Sequence, residues 1–258
     1  MKYLVNILKK LILKLKLKLK QRKEIPLNDS DFVKNVCKFT VNECVVGDYY
    51  EFGVFRGQTL VSFYLKLMRV ATKRISNTGN EGREALTGDL RKRIKNETIF
   101  NAFDSFEGLP NLSHEDEKSS DFAEGQYSAG TKVVERLAIN YGMPTSRLRF
   151  HKGWFSETCT KEYFENNALR PASIIWLDRD LYSSAKDAFK LIELILQDGT
   201  MIIIDDWYCF KGNPGRGVQK AWYEFSKSDS VAGKFIFSEY QTDGWARKSF
   251  IANTNEGV

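Results

Sequence analysis

Carboxylates stand at the ends of two predicted strands of this chain. Asp178 is the last residue of the apolar strand 172–178, and Asp205 with Asp206 closes the apolar strand 199–205. When such strands are neighbours in a parallel sheet, their carboxyl ends meet at one edge, where unpaired like charges repel. A hard divalent cation relieves that repulsion, because carboxylate and water oxygens suit Mg²⁺. The alternative is a set of salt bridges to nearby basic residues: Arg179, Arg216 or Lys211.

Two earlier strand ends also carry residues that suit a ligand. Glu51, Gly53 and Gly57 follow or close the first strand, and the glycines permit a tight turn that brings a ligand near backbone amides. The spacing departs from GxGxxG, which argues against a dinucleotide, and the glycines alone are equally compatible with a simple strand-to-helix turn. Asp104 ends the second strand, where a carboxylate can accept hydrogen bonds from ribose hydroxyls. A helix cap or an ordinary loop acid is the alternative for Asp104.

Alternating strands and helices position these residues. Strands are predicted at 47–53, 98–104, 147–153, 172–178 and 199–205, and a final pair at 234–240 and 244–252. Helices are predicted from the caps at 28–30 to about residue 45, and at 56–72, 129–141, 156–166, 183–197 and 217–228. This order predicts an α/β fold with a doubly wound, mostly parallel sheet and N-terminal helices. The final pair predicts a hairpin with one antiparallel strand at or near an edge.

Two segments lack a clear periodicity. Residues 73–97 are polar, with at most a short helix near 86–94, and predict a surface insertion. Residues 105–127 form a long, strongly acidic loop, and loops of this length in compact domains often act as lids. A solvated loop that never orders is the alternative.

The charge of the chain is concentrated at one end. The formal net charge is +6, and residues 1–23 hold nine of the 39 basic residues and no acid. The rest of the chain has 30 basic residues and 33 acids, so its formal net charge is near −3. A basic arm at 1–25 on a slightly acidic domain at 26–258 argues against a nucleic-acid partner.

The arm has leucines at helical spacing. Leu4, Leu8, Leu11, Leu15 and Leu19 lie on one side of such a helix. An interfacial helix on anionic membrane is one interpretation, and a solvated arm or contact with a partner chain, as in a homodimer, is the other.

Cysteine content and hydropathy bear on the cellular location. The four cysteines form no CxxC pair, and two histidines cannot complete a Cys/His zinc site, so a reducing compartment is expected. No apolar run approaches a bilayer span, and the N-terminus lacks a secretory pattern. We therefore expect a cytoplasmic protein, peripheral at the membrane if the arm binds lipid.

Four ordered motifs resemble those of the macrocin O-methyltransferase family. They are FDSFEGLP at 103–110, KGWFSETC at 152–159, LDRDLYSSAKDA at 177–188 and GTMIIIDDW at 199–207, within a likeness over roughly 45–228. The resemblance implies a seven-stranded sheet of the class I methyltransferase type. It also implies S-adenosyl-L-methionine as methyl donor, a required metal, and a hydroxyl of a sugar-containing small molecule or glycan as acceptor.

The resemblance also assigns roles to residues. Glu51, Gly53 and Gly57 would line the methionine part of the cofactor, and Asp104 would hold the ribose with Ser105 beside it. The residues expected near the adenine are Gly153 and Trp154.

Three aspartates would form the metal centre. Asp178 would be a Mg²⁺ ligand and the candidate base, and Asp205 and Asp206 would be further ligands. Arg179 replaces a glycine of the family's motif and places a cation beside this cluster.

Other functions remain open from the sequence. One is a methyltransferase for another hydroxyl, such as a catechol, although the lysine base expected after the fourth strand is absent there. Another is a non-catalytic cofactor-binding subunit tethered by the arm. A nucleic-acid methyltransferase is disfavoured, since no NPPY-like tetrapeptide follows the fourth strand.

Overall fold

The structure is a computed structural model that describes residues 30–79, 81–108, 129–178, 181–244 and 246–255. Three features of the sequence therefore lie wholly or largely outside the described residues: the basic arm, the acidic loop beyond residue 108, and Arg179.

The described residues form one seven-stranded sheet. Its strands are β1 (Asp48–Phe52), β2 (Phe100–Asp104), β3 (Leu148–Lys152), β4 (Ala172–Leu177), β5 (Thr200–Ile204), β6 (Phe235–Asp243) and β7 (Arg247–Thr254). Their order is β3-β2-β1-β4-β5-β7-β6, and only the pairings of β7 with β5 and β6 are antiparallel. The predicted doubly wound sheet and its terminal hairpin are confirmed, with the antiparallel strand one position in from the edge.

Helices cover both faces of the sheet. They are α1 (Asp31–Asn42), α2 (Gln58–Ile75), α3 (Gly82–Glu97), α4 (Thr131–Asn140), α5 (Phe155–Thr158), α6 (Lys161–Asn166), α7 (Tyr182–Ile195), α8 (Gly217–Ser226) and α9 (Asp229–Ala232). Short 3₁₀ turns lie at Thr145–Arg147 and Phe210–Gly212. Helices α1 to α4 contribute to one apolar core, and α5 to α9 contribute to the core on the opposite face. The strands β1, β2, β4 and β5 are buried along their whole length, as expected for a sheet covered on both sides.

Two predicted segments differ from the structure. The insertion predicted at 73–97 is largely helical, since α2 continues to Ile75 and α3 begins at Gly82. Helix α3 was hard to recognise because only Gly88 and Ile94 are buried in it, so its apolar stripe is short. The single helix predicted at 156–166 is two helices, because the Thr160 side chain caps a new one by accepting from the Tyr163 amide at 3.1 Å.

Helix α1 runs from the carboxyl edge of the sheet toward its amino edge. Near its start, Phe32 packs edge-on against Trp176, one residue before the end of β4, with ring centroids 6.5 Å apart. The Phe32 carbonyl also accepts from the Gln241 side-chain amide at 2.9 Å, near the end of β6. At its other end a short turn leads into β1 at Asp48. Residue 30 therefore lies on the side of the sheet where the parallel strands end.

From β1 the chain adds β2 and β3 on one side and β4 and β5 on the other, so the strand order reverses between β1 and β4. These two strands are parallel, and their carboxyl ends lie at the same edge of the sheet. In open α/β sheets ligands bind in the crevice outside such a switch point. Among the described helices, none is long and apolar enough to cross a membrane.

Candidate functional site

Four acids share one face of the sheet at its carboxyl edge. Glu51 is level with Trp176, and Trp176 is level with Ile203. Because side chains alternate along a strand, Asp178 and Asp205, two residues further on, point to that same face. Asp104 points to this face too, because Ala102 is level with Glu51 and Asp104 lies two residues after Ala102. The sheet thus brings together four acids that the sequence singled out at four separate strand ends.

Glu51 is the most enclosed of these acids. It is buried, and the Tyr49 hydroxyl donates a hydrogen bond to its Oε2. Burial is the main cause that raises the pKa of Glu51 well above its usual range. The negative charges of the three other acids raise this pKa further: Asp178, Asp104 and Asp205. The three other acids are therefore close enough to act electrostatically on Glu51.

Asp104 ties the loop after β1 to the loop after β2. Its Oδ2 accepts from the amides of Val54 at 2.8 Å and Phe55 at 3.3 Å, and its Oδ1 accepts from the Phe106 amide at 2.8 Å. The Ser105 hydroxyl lies 3.5 Å from Oδ1 and itself donates to the Gly108 carbonyl at 2.8 Å. A carboxylate has about four acceptor positions, so the protein's own donors already engage Asp104 on both oxygens. Ser105 lies beside Asp104, as expected.

The turn after β1 has positive φ angles at both of its glycines. Gly53 and Gly57 have φ of 97° and 79°, in the left-handed region that glycine adopts without strain. Gly57 precedes α2, and a Cβ there would lie 2.6 Å from Cγ1 of Val134. The turn therefore needs glycine both for its dihedral angle and for its contact with α4.

Gly153 and Trp154 lie at the next strand end along the sheet. The Gly153 amide donates to the Asp104 carbonyl at 3.1 Å, and Gly153 has a φ of 145°. Trp154 is half-buried and is the N-cap residue that precedes α5. Gly153 and Trp154 therefore lie at the carboxyl edge beside Asp104, and their role near an adenine stays a prediction.

Asp205 is bonded to the protein through both carboxylate oxygens. Its Oδ1 accepts from the Asp206 amide at 3.0 Å, and its Oδ2 accepts from Nε of Arg247 at 2.9 Å. Burial raises the pKa of Asp205 to about 6, against the opposing effect of the Arg247 charge, and Asp206 adds to the rise. Asp206 has a φ of 55°, and its Oδ1 lies 3.6 Å from the Cys209 sulfur.

Sequence reasoning missed Arg247. The alternative partners considered for the acids were Arg179, Arg216 and Lys211, all near in sequence. The pairing of Ile204 with Lys248 places Arg247 opposite Asp205, 42 residues away. Only the register of the antiparallel strand could have identified it.

The predicted metal ligands are Asp178, Asp205 and Asp206. Within the part of the chain that the structure describes, no three His, Cys, Asp or Glu side chains form a group that could hold a metal ion. The donor set itself suits a hard cation, because Asp178, Asp205 and Asp206 supply carboxylate oxygens at neighbouring strand ends. The predicted Mg²⁺ site therefore stays a prediction.

One buried polar atom beside the acids has no partner among the described residues. It is the indole Nε1 of Trp176, whose side chain is fully buried between Phe32, Phe63 and Arg247. An unbonded buried donor is costly, so this one marks a place where the described protein atoms leave a hydrogen bond unmade.

A cavity of about 900 Å³ opens at the opposite edge of the sheet. Its lining includes residues that precede four of the parallel strands: Gly47, Thr98, Pro171 and Gly199. It contains none of the four acids, so we assign the candidate active site to the carboxyl edge instead.

Comparison with known proteins gives one family and a consistent fold. The model of the macrocin O-methyltransferase family, TylF, matches residues 86–241. A curated protein of Streptomyces olivaceus, 8-demethyl-8-(2,3-dimethoxy-alpha-L-rhamnosyl)-tetracenomycin-C 4'-O-methyltransferase, is 28% identical over 168 residues. That match covers 63% of this chain, and the chain spans about half, 54%, of the relative's length.

Solved structures share the architecture at low identity. The O-methyltransferase NovP superposes with a TM-score of 0.59 at 18% identity, covering 86% of this chain and 78% of that one. The calicheamicin methyltransferase CalS11 superposes with a TM-score of 0.56 at 17% identity, covering 92% of this chain and 90% of that one. An O-methyltransferase from Bacillus cereus, solved in complex with SAH, superposes with a TM-score of 0.51 at 11% identity, covering 93% of this chain and 87% of that one. The fold is thus that of class I methyltransferases.

Proposed function

Because the chain belongs to the macrocin O-methyltransferase family, we propose that it is an S-adenosylmethionine-dependent O-methyltransferase. Its proposed acceptor is a hydroxyl of a sugar or of a glycosylated molecule. The observation that carries the proposal is the gathering of Glu51, Asp104, Asp178 and Asp205 on one face at the switch point. The curated relative, whose name describes methylation on a rhamnosyl group, supports the acceptor class.

We place the methyl donor over the strands β1 to β3. Bound S-adenosylmethionine would supply a methyl group on a sulfonium, and transfer forms a C–O bond as the C–S bond breaks toward sulfur. Glu51, Gly53 and Gly57 would contact its methionine part, whose positive amino group suits a buried carboxyl. The remaining contacts would come from Asp104 and Ser105 at the ribose and from Gly153 and Trp154 at the adenine.

The engaged state of Asp104 refines its proposed role. Since backbone amides occupy both its oxygens, a ribose hydroxyl would share an oxygen that already fixes the glycine turn. Asp104 would then contribute to cofactor binding both directly and by holding the turn in place.

We place the acceptor over β4 and β5. Asp178, Asp205 and Asp206 would hold Mg²⁺, which would lower the pKa of a bound hydroxyl and fix its direction. Asp178 would accept the proton that the hydroxyl loses. Holding oxygen, carbon and sulfur in line would account for much of the remaining rate.

Methyl transfer from labelled S-adenosylmethionine to a panel of nucleotide sugars and rhamnosylated aglycones tests the proposal. EDTA should abolish transfer and Mg²⁺ should restore it. Asp178→Asn should lower kcat by at least about a hundredfold if Asp178 is the base, while Asp89→Asn on the exposed face of α3 should leave it unchanged. Full transfer in chelator would remove the metal from the mechanism, and transfer only to catechols would replace the acceptor class.

We further propose that the basic arm binds anionic membrane reversibly. Each Lys or Arg near such a surface contributes roughly 1 kcal/mol, and leucines add to this. The intact protein should sediment with anionic vesicles but not neutral ones, and lose this binding at high salt or on deletion of residues 1–23. A protein that stays in the supernatant but is dimeric by light scattering only with the arm present would assign the arm to a homodimer contact instead.

A further inference from the structure

Arg247 is a half-buried cation at the proposed acceptor end. It is the first residue of β7, and the β5–β7 register sets it opposite Asp205. Only 27% of its side chain is exposed. No nearby stretch of sequence brings it there, so its position depends on the hairpin that closes the sheet.

Three groups hold the guanidinium in place. Its Nε donates to Asp205 at 2.9 Å, and its Nη1 donates to Asp243 at 3.1 Å. The guanidinium carbon also lies 5.3 Å from the centroid of the Trp176 ring. Burial alone would lower the pKa of Arg247, but the two carboxylates outweigh it and raise that pKa. Arg247 is therefore a stable positive charge beside one of the acids expected to bind Mg²⁺.

We propose that Arg247 is an internal counter-cation for Asp205, which it must release before a divalent ion can bind. This inference rests on the proposed metal role of Asp205. The observation behind it is the hydrogen bond from Nε of Arg247 to Oδ2 of Asp205 at 2.9 Å.

Electrostatic repulsion favours an exchange of the two cations over their joint binding. A divalent ion on Asp205 would lie within a few ångströms of the guanidinium, and like charges at that distance repel strongly in a partly buried site. Asp243 and the Trp176 ring would still bind Arg247 after the exchange. The side chain therefore has a place to remain when it leaves Asp205.

Calorimetric titration of the intact protein with Mg²⁺ and Mn²⁺, without donor or acceptor, tests the exchange. Arg247→Met keeps the apolar stem but removes the competing charge, and should bind either ion at least about tenfold more tightly, the lower end of what a charge-assisted hydrogen bond contributes. Arg247→Lys keeps a charge at the site and should stay within about threefold of the wild type. Lys248→Met removes a charge from the next residue, which faces the other side of the sheet, and should also change affinity by less than about threefold.

A second measurement is made on the wild-type protein and needs a variant only for assignment. In protein labelled with ¹⁵N-arginine, the Nε–H of Arg247 should exchange slowly with solvent, and addition of Mg²⁺ should speed its exchange. Loss of the resonance in Arg247→Lys assigns it.

The outcomes separate this inference from the proposed function. If the wild type binds metal and Arg247→Met binds it equally or more weakly, Arg247 supports the site rather than competing, and the inference is wrong while the metal role stands. If neither protein binds metal at millimolar concentration, the metal role itself fails and the inference fails with it. Unchanged exchange of the Nε–H on saturation with Mg²⁺ also overturns the inference.

Discussion

The two ends of the candidate site neutralise their buried carboxylates in different ways. Asp104, at the cofactor end, accepts from three backbone amides, whereas Asp205, at the acceptor end, accepts from one amide and from the Arg247 guanidinium. A backbone amide cannot leave without opening its turn, but a side chain can rotate away. The proposed cofactor end is therefore held by backbone, and at the proposed acceptor end the partner of the carboxylate is a side chain that the proposed exchange would move.

The largest effect is expected from Asp104→Ala. The buried amides of Val54 and Phe106 and the half-buried amide of Phe55 lose their acceptor, and hydrogen bonds to a charged group are worth roughly 1.5–3 kcal/mol each. We expect the free energy of unfolding in urea to fall by about 3 kcal/mol or more, and S-adenosylhomocysteine affinity to fall at least about tenfold. Asp104→Asn keeps one acceptor oxygen, so its losses of unfolding free energy and of S-adenosylhomocysteine affinity should be smaller. An unfolding free energy equal to that of the wild type would show that the amides do not depend on Asp104.

The next effect concerns His151, which lies beneath the cofactor end and avoids charge altogether. Its ring stacks on Phe103 at 4.1 Å and bonds Asn101 and Tyr163, and burial lowers its pKa to about 4. Since the unfolded state takes up a proton near pH 6.5, stability from this group is complete above that pH and is lost as pH falls toward 4.

The comparison of pH profiles isolates that contribution. Between pH 7 and pH 5 the wild type should lose roughly 2 kcal/mol more than His151→Gln, which keeps hydrogen bonding but does not titrate. Parallel stability profiles for the two proteins would mean that His151 titrates normally in the fold.

A smaller effect is expected from Gly57→Ala at the cofactor turn. A left-handed alanine costs roughly 1–2 kcal/mol, and its Cβ would also meet Val134 at 2.6 Å. Gly142→Ala is a matched control, because Gly142 has the same φ of 79° but open space around its Cβ position. The difference between the two midpoints in thermal or urea unfolding measures the contact alone. Equal losses of stability in Gly57→Ala and Gly142→Ala would show that α4 can move away from the added Cβ. The turn would then be less rigid than its geometry indicates.

The smallest effect is expected far from both ends. The Lys92–Asp89 pair on α3 is mostly exposed at 2.9 Å, and such pairs contribute below about 0.5 kcal/mol. Asp89→Ala should leave unfolding and cofactor affinity nearly unchanged. A loss above 1 kcal/mol would show that α3 matters to the site more than its few buried residues indicate.

The sequence predicts well what depends on local pattern. The buried strands alternate with amphipathic helices, so the sheet and the edge that carries Asp104, Asp178 and Asp205 follow from apolar runs and their terminal acids. The glycines at 53 and 57 have the positive φ that a turn at that position requires. These features need no knowledge of distant contacts.

The sequence does not predict what depends on register or unusual dihedrals. The partner of Asp205 comes from a strand 42 residues away, and only the pairing of Ile204 with Lys248 identifies it. The amides that bind Asp104 face it in loops where Phe55 and Phe106 have φ of 45° and 57°, values that non-glycine residues seldom adopt. Helix α3 was predicted only in part because so little of it is buried.

The direction of α1 has a practical consequence for handling the protein. The described residues begin at 30, two residues before Phe32, which packs on Trp176 on the side where the parallel strands end. They finish at 255, where the Asn255 amide donates to the Lys234 carbonyl near the start of β6. A fluorophore attached near residue 30 would report on events at the acid cluster. An affinity tag or a surface linkage after residue 255 would sit at the far edge and leave that cluster open to solution.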